Sequence, residues 1–173
     1  MFQHLYGNRV LWLGAGLVMG LAISGVLPHS PAHATASSQL ENLVIATGAV
    51  DGDGEGVFIL DALSGDLWGW VINPNNGAFT AAYRYNVLRD LGVDPSKSPK
   101  YVMVTGAQNF RRGAGGVQMA NSVIYVAELT TGKMLALGFP WNRGLRSGTQ
   151  TYTGTFMKLD VVPYRELVIR ETP

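Results

Sequence analysis

Cysteine is absent from this 173-residue chain, and histidine is absent from most of it. The three histidines, His4, His29 and His33, all precede Ala34. The body of the chain therefore has no Ser-His-Asp triad, no cysteine nucleophile, no histidine base and none of the usual ligands for zinc, copper or haem. No disulfide can stabilise it in an oxidising compartment. Charge is sparse as well: only 14% of the residues are Asp, Glu, Lys or Arg, and the formal net charge is +1. All twelve acidic residues and all but one of the thirteen basic ones follow Ala34, so the body is close to neutral. A nucleic-acid partner would need a basic surface, and none is expected. Carboxylates, Lys, Arg, Tyr, Ser and Thr remain for chemistry. An enzyme working through carboxylates alone, such as a glycosidase, stays open, but a protein without catalytic activity is expected.

The N-terminus reads as an export segment. One cation, Arg9, precedes an apolar run from Val10 to Leu27, which leads into Pro28-His29-Ser30-Pro31 and Ala32-His33-Ala34. That is the order of a secretory signal cleaved after Ala34. The run is also long enough for a membrane helix, and Gly16 and Gly20 form a G-x-x-x-G pair of the kind found at helix-packing faces. Residues 1–34 are thus read as a signal peptide or an N-terminal membrane anchor. Either sends the remainder across the membrane, to the periplasm or cell envelope. Residues 35–42 read as a linker, and residues 43–173 as a single domain of ordinary size.

That domain contains a repeat. Val44-Ile45-Ala46-Thr47-Gly48-Ala49 returns 58 positions later as Val102-Met103-Val104-Thr105-Gly106-Ala107. Phe58 to Leu67 returns as Tyr125 to Met134, with Gly65 matched by Gly132 at an offset of 67. The second copy therefore carries a longer internal loop. The copies span residues 43–92 and 101–162. Each reads as strand, loop, hairpin, turn and strand, with Gly65 and Gly132 supplying the backbone freedom that the tight hairpin turns need. Val87–Leu91, closed by Gly92, predicts one short helix between the copies. Thr151–Val162 alternates as one long strand, and Leu167–Arg170 as a last short one. The expected fold is all-β and mainly antiparallel: two tandem four-stranded meanders forming a sandwich, a barrel or a blade pair, preceded by a hydrophobic export helix.

The Asp61-x-x-Ser64-Gly65 and Glu128-x-x-Thr131-Gly132 turns resemble those between the outer blade strands of quinoprotein-type β-propellers. Two blades fall short of a closed ring, so this resemblance implies closure as a sandwich or barrel, or multiplication of blades by assembly. The wider pattern resembles a family of exported bacterial proteins of unknown function. The residues that carry it include Ala46-Thr47-Gly48, Ser64-Gly65-Asp66-Leu67, Asn86-Val87-Leu88, Tyr101 to Gly106, Tyr125-Val126-Ala127-Glu128 and Pro140-Trp141. This resemblance implies an envelope location and brings no catalytic residue.

Four sets of residues are candidates for function. Asp51, Asp53 and Glu55 place three carboxylates at alternate positions in a glycine-rich loop, a pattern that can ligate calcium. The twelfth position of an EF-hand loop starting there is Ala62 rather than glutamate, and the alternative is a solvated loop. Asp61 and Glu128 each precede a tight turn, where a carboxylate commonly accepts hydrogen bonds from the turn's own amides. Trp68 and Trp70 share one face of a strand that is apolar on both. A core-facing position is expected for them, with an exposed platform for a sugar or a partner protein as the alternative. Trp141 sits in an irregular segment, as a loop anchor or an interface residue. Arg111 and Arg112 occupy the loop equivalent to the acidic one, and loops of opposite sign suit head-to-tail contact between subunits. The leading expectation is a non-catalytic envelope protein acting through protein contacts or self-association, with a glycan- or calcium-binding module second.

Overall fold

Alternating apolar residues and glycine-centred turns give ten strands in a computed structural model, which describes residues 12–20, 37–110, 118–146 and 151–165. The chain divides into two units, Met1–Ala32 and His33–Pro173. In the first, residues 12–20 are helical, with Trp12, Leu13 and Leu17 exposed. No helix among the described residues is long and apolar enough to cross a membrane. The rest of the expected Val10–Leu27 run lies outside the described residues, as does Leu167–Arg170.

The second unit is two antiparallel-dominated sheets. The first has the spatial order β1 (Ser37–Leu40), β2 (Leu43–Ala49), β3 (Glu55–Asp61), β4 (Asp66–Ile72), β5 (Phe79–Asn86) and β9 (Tyr152–Thr155). The second has the order β10 (Met157–Pro163), β8 (Lys133–Gly138), β7 (Ser122–Glu128) and β6 (Tyr101–Ala107). Strands β2–β5 are the first expected meander, and β6, β7, β8 and β10 are the second. The two sheets share one core, in which Phe58 of the first packs against Phe139 after β8 at 5.7 Å between ring centroids. No closed barrel forms among the described residues. The short helix is present at Leu88–Leu91, and Gly92 ends it in the left-handed conformation (φ 67°).

The hairpin turns repeat down to individual hydrogen bonds. Gly65 and Gly132 both have positive φ, 68° and 66°. The Gly65 amide donates to Asp61 O, and the Gly132 amide to Glu128 O. The amides of Val87 and Tyr164 donate to Gly65 O and Gly132 O. This last pair is offset by 77, ten more than at the hairpin, so the second copy has a second insertion between β8 and β10.

Two expectations are overturned, the first by that insertion. Thr151–Val162 is not one strand. It runs parallel to β5 as β9, buries Phe156, and then joins the other sheet as β10. Alternation continues through the crossing, so the sequence shows no break. Ser37–Leu40, read as linker, is instead an edge strand on β2. All four of its residues are exposed, so no alternation marks it.

Candidate functional site

The placement of Trp68 and Trp70 corrects the expected inward orientation. On β4 the buried positions are Leu67, Gly69 and Val71, and both tryptophans lie half-buried on the outer face. Inner and outer positions are both apolar, so hydrophobicity alone sets no phase for this strand. Gly69 explains the choice. A Cβ there would lie 2.5 Å from the Phe156 ring and 2.9 Å from Phe58, so the aromatic core occupies the space that a side chain would need.

The two indoles stack in parallel, with centroids 5.9 Å apart and planes 9° apart. The Arg84 guanidinium lies 4.7 Å from the Trp68 centroid and is held by Asp66 at 2.9 Å. Asn86 and, less strongly, Arg84 donate to the Asp66 carboxylate and hold its pKa below the ordinary value against the opposing effect of burial. Each indole turns one face to its neighbour, and the Arg84 guanidinium stands over Trp68. Around them on the same sheet face lie Ile45, Val57 and Ile59, all half-buried.

Asp51, Asp53 and Glu55 are not gathered into a group that could hold a metal ion, and no such group occurs among the described residues. Asp53 and Glu55 are exposed, whereas Asp51 is buried. Its Oδ1 accepts from the amides of Gly54 at 2.8 Å and Asp53 at 3.2 Å. Its Oδ2 accepts from the Trp141 indole N–H at 2.9 Å, and Arg143 stands 3.9 Å away. Trp141 is therefore a loop anchor, 2% exposed, tying residues 50–54 to the segment after Pro140. Tyr83 fastens the same segment by donating to Pro140 O at 2.6 Å. Beside this tether opens a shallow cleft of about 580 Å³, lined by Gln118, Trp141, Arg143 and Tyr152 among others. No local pattern signals this pairing, because its two partners stand 90 positions apart. Arg111 and Arg112 lie outside the described residues.

Asp61 and Glu128 take the structural role expected of them. Asp61 accepts from the Leu63 amide and the Ser64 hydroxyl, and Glu128 from the amides of Lys100, Thr130 and Thr131. Burial pushes the Glu128 carboxyl up. The Thr131, Thr130 and Lys100 amides and the Thr130 hydroxyl outweigh burial and hold it at about 2, against an ordinary 4.5. The folded state therefore resists protonation of Glu128 more than the unfolded state does. Its contribution is complete above about pH 4.5 and is lost as pH falls toward 2. We expect the melting temperature to fall across that window. Glu128→Gln should lower it at neutral pH by roughly 5–10 °C, for a loss of about 3 kcal/mol, and flatten the acid limb. Asp61, Asp66, Asp90 and Asp94, which are also held low, contribute to the slope that remains. An acid limb as steep in the variant as in the wild type would contradict this assignment.

No family model, no curated protein and no solved structure matches the chain. The resemblances to propeller blades and to an exported family thus rest on the quoted residues alone.

Proposed function

We propose that this chain is a non-catalytic cell-envelope protein, exported or membrane-anchored, that acts through protein–protein contacts made by its outer sheet faces. The observation that carries the reading is that the middle of both exteriors is apolar, with Glu55, Asp61, Asp66 and Arg84 around it on the first. The first sheet shows Trp68 and Trp70 among Ile45, Val57 and Ile59. On the second, Val102 and Val104 are 44% and 45% exposed. Four strands of about seven residues make a face of roughly 400 Å², within the range of the largest surface patches on single domains, which are often contact sites. The export reading is supported by the Arg9, Val10–Leu27 and Ala32-His33-Ala34 pattern. The non-catalytic reading is supported by the lack of histidine and cysteine after Ala34, and by Asp61 and Glu128 both serving their own turns.

A photocrosslinking amino acid in place of Trp70, in the full-length chain in its native cells, tests the reading. Adducts of protein mass are expected. Adducts confined to lipid or glycan, or none, would remove it.

A further inference from the structure

The two sheets bury opposite faces of one repeat. At the 58-residue offset, Val44 is buried and Val102 exposed, while Met103 is buried and its counterpart Ile45 lies outside. At the 67-residue offset, Val126, Leu135 and Leu137 are buried while Ile59, Trp68 and Trp70 are not. The reverse holds for Phe58 and Leu60, which are buried, against Tyr125 and Ala127. Copies related by a two-fold axis would bury equivalent positions. Copies stacked in one direction bury opposite ones, as these do. Each exterior is therefore the sequence counterpart of the interior of the other sheet.

We propose that the outer face of the second sheet packs on the outer face of the first sheet of another molecule, repeating between chains the contact that joins the two sheets within one. This rests on the protein-contact reading and names the partner as a second copy of this chain. Volumes compensate across such a junction. Trp68 and Trp70 stand where the internal contact has Leu135 and Leu137, and Ala127 stands where it has Leu60. Charge is sparse at the junction: the outward positions of β6, β7 and β8 carry no Asp, Glu, Lys or Arg, Asp160 lies on the edge strand β10, and on the facing sheet Asp66 and Arg84 pair with each other while Glu55 and Asp61 lie at the two ends of β3. The contact is head-to-tail, so it closes into a ring where the rotation permits. Each chain adds two blades, each built on a four-stranded meander, and rings of about four to eight blades need two to four chains.

Native mass spectrometry and sedimentation of the full chain test this directly. Complexes of two to four chains are expected, and a chain that stays monomeric at every concentration overturns the proposal. Two charged variants then give the polarity of the contact. Trp68→Glu with Trp70→Glu removes one face, and Val102→Glu with Val104→Glu removes the other. Each variant alone is expected to be monomeric, and an equimolar mixture is expected to form a complex of two chains across the one intact junction. A mixture that stays monomeric overturns head-to-tail packing. The wild-type mass decides the matter even if a variant folds poorly. A monomeric wild type that still gives protein adducts at position 70 removes self-stacking and leaves the contact reading standing. A monomer without adducts removes both.

Discussion

Replacing Phe156 with alanine is expected to destabilise the protein by about 3–5 kcal/mol, the range for emptying a buried phenylalanine site. The residue is 3% exposed and stands where the chain crosses between sheets, after β9 and before β10. Its ring meets Phe139, Tyr83 and Phe58 with centroids 5.6, 5.7 and 6.1 Å away. Its terminal carbon fills the space above Gly69. Gly69→Ala should therefore cost about 1–3 kcal/mol by overpacking. In the Phe156→Ala background most of that cost should disappear, because the new methyl enters the vacated space. A double-mutant cycle by urea melts is expected to show coupling of at least about 1 kcal/mol. Simple additivity would mean that Phe156 does not sit over Gly69.

The second large effect is expected at Asp51. Alanine there removes the acceptor for two loop amides and leaves the Trp141 indole N–H buried without a partner. Charge-assisted hydrogen bonds contribute about 1.5–3 kcal/mol, and an orphaned buried donor costs about 1–3 kcal/mol. A total loss of about 3–5 kcal/mol is expected on that basis. Asp51→Asn keeps one acceptor oxygen and should recover part of it. Trp141→Phe removes the donor, so combining it with Asp51→Ala should cost less than the two single losses together. A loss below about 1 kcal/mol for Asp51→Ala would show that the tether contributes little.

These residues also mark the limits of what the sequence made legible. The duplication, the two meanders, the glycine turns and the capping roles of Asp61 and Glu128 were all readable, because each depends on chemistry within a few neighbouring residues. The buried face of β4 was not, because alternation sets a phase only when one face is polar. Strand β1 was hidden because an exposed edge strand carries no apolar period. Phe156 looked like one more residue of a single strand, although the chain changes sheets there. The Asp51 loop looked solvated because its buried partner, Trp141, comes from the far end of the chain. The opposite burial of the two copies was beyond the sequence for the same reason as β4: which face turns inward depends on the other sheet.

That opposite burial is what makes stacking between chains specific enough to test at one pair of atoms. Within the chain, a Cβ on Gly48 would lie 3.1 Å from the Thr105 Cβ. At the 58-residue offset these positions become Gly106 and Thr47, which should meet across the junction. That separation is slightly under the roughly 3.5–4.5 Å of a disulfide and needs only a small adjustment. The chain has no cysteine of its own, so Thr47→Cys and Gly106→Cys can be made as separate single-cysteine proteins, mixed and mildly oxidised. Head-to-tail stacking predicts that the mixed disulfide dominates, with little of either homodimer. Homodimers in statistical proportion, or no cross-linking at all, would contradict it.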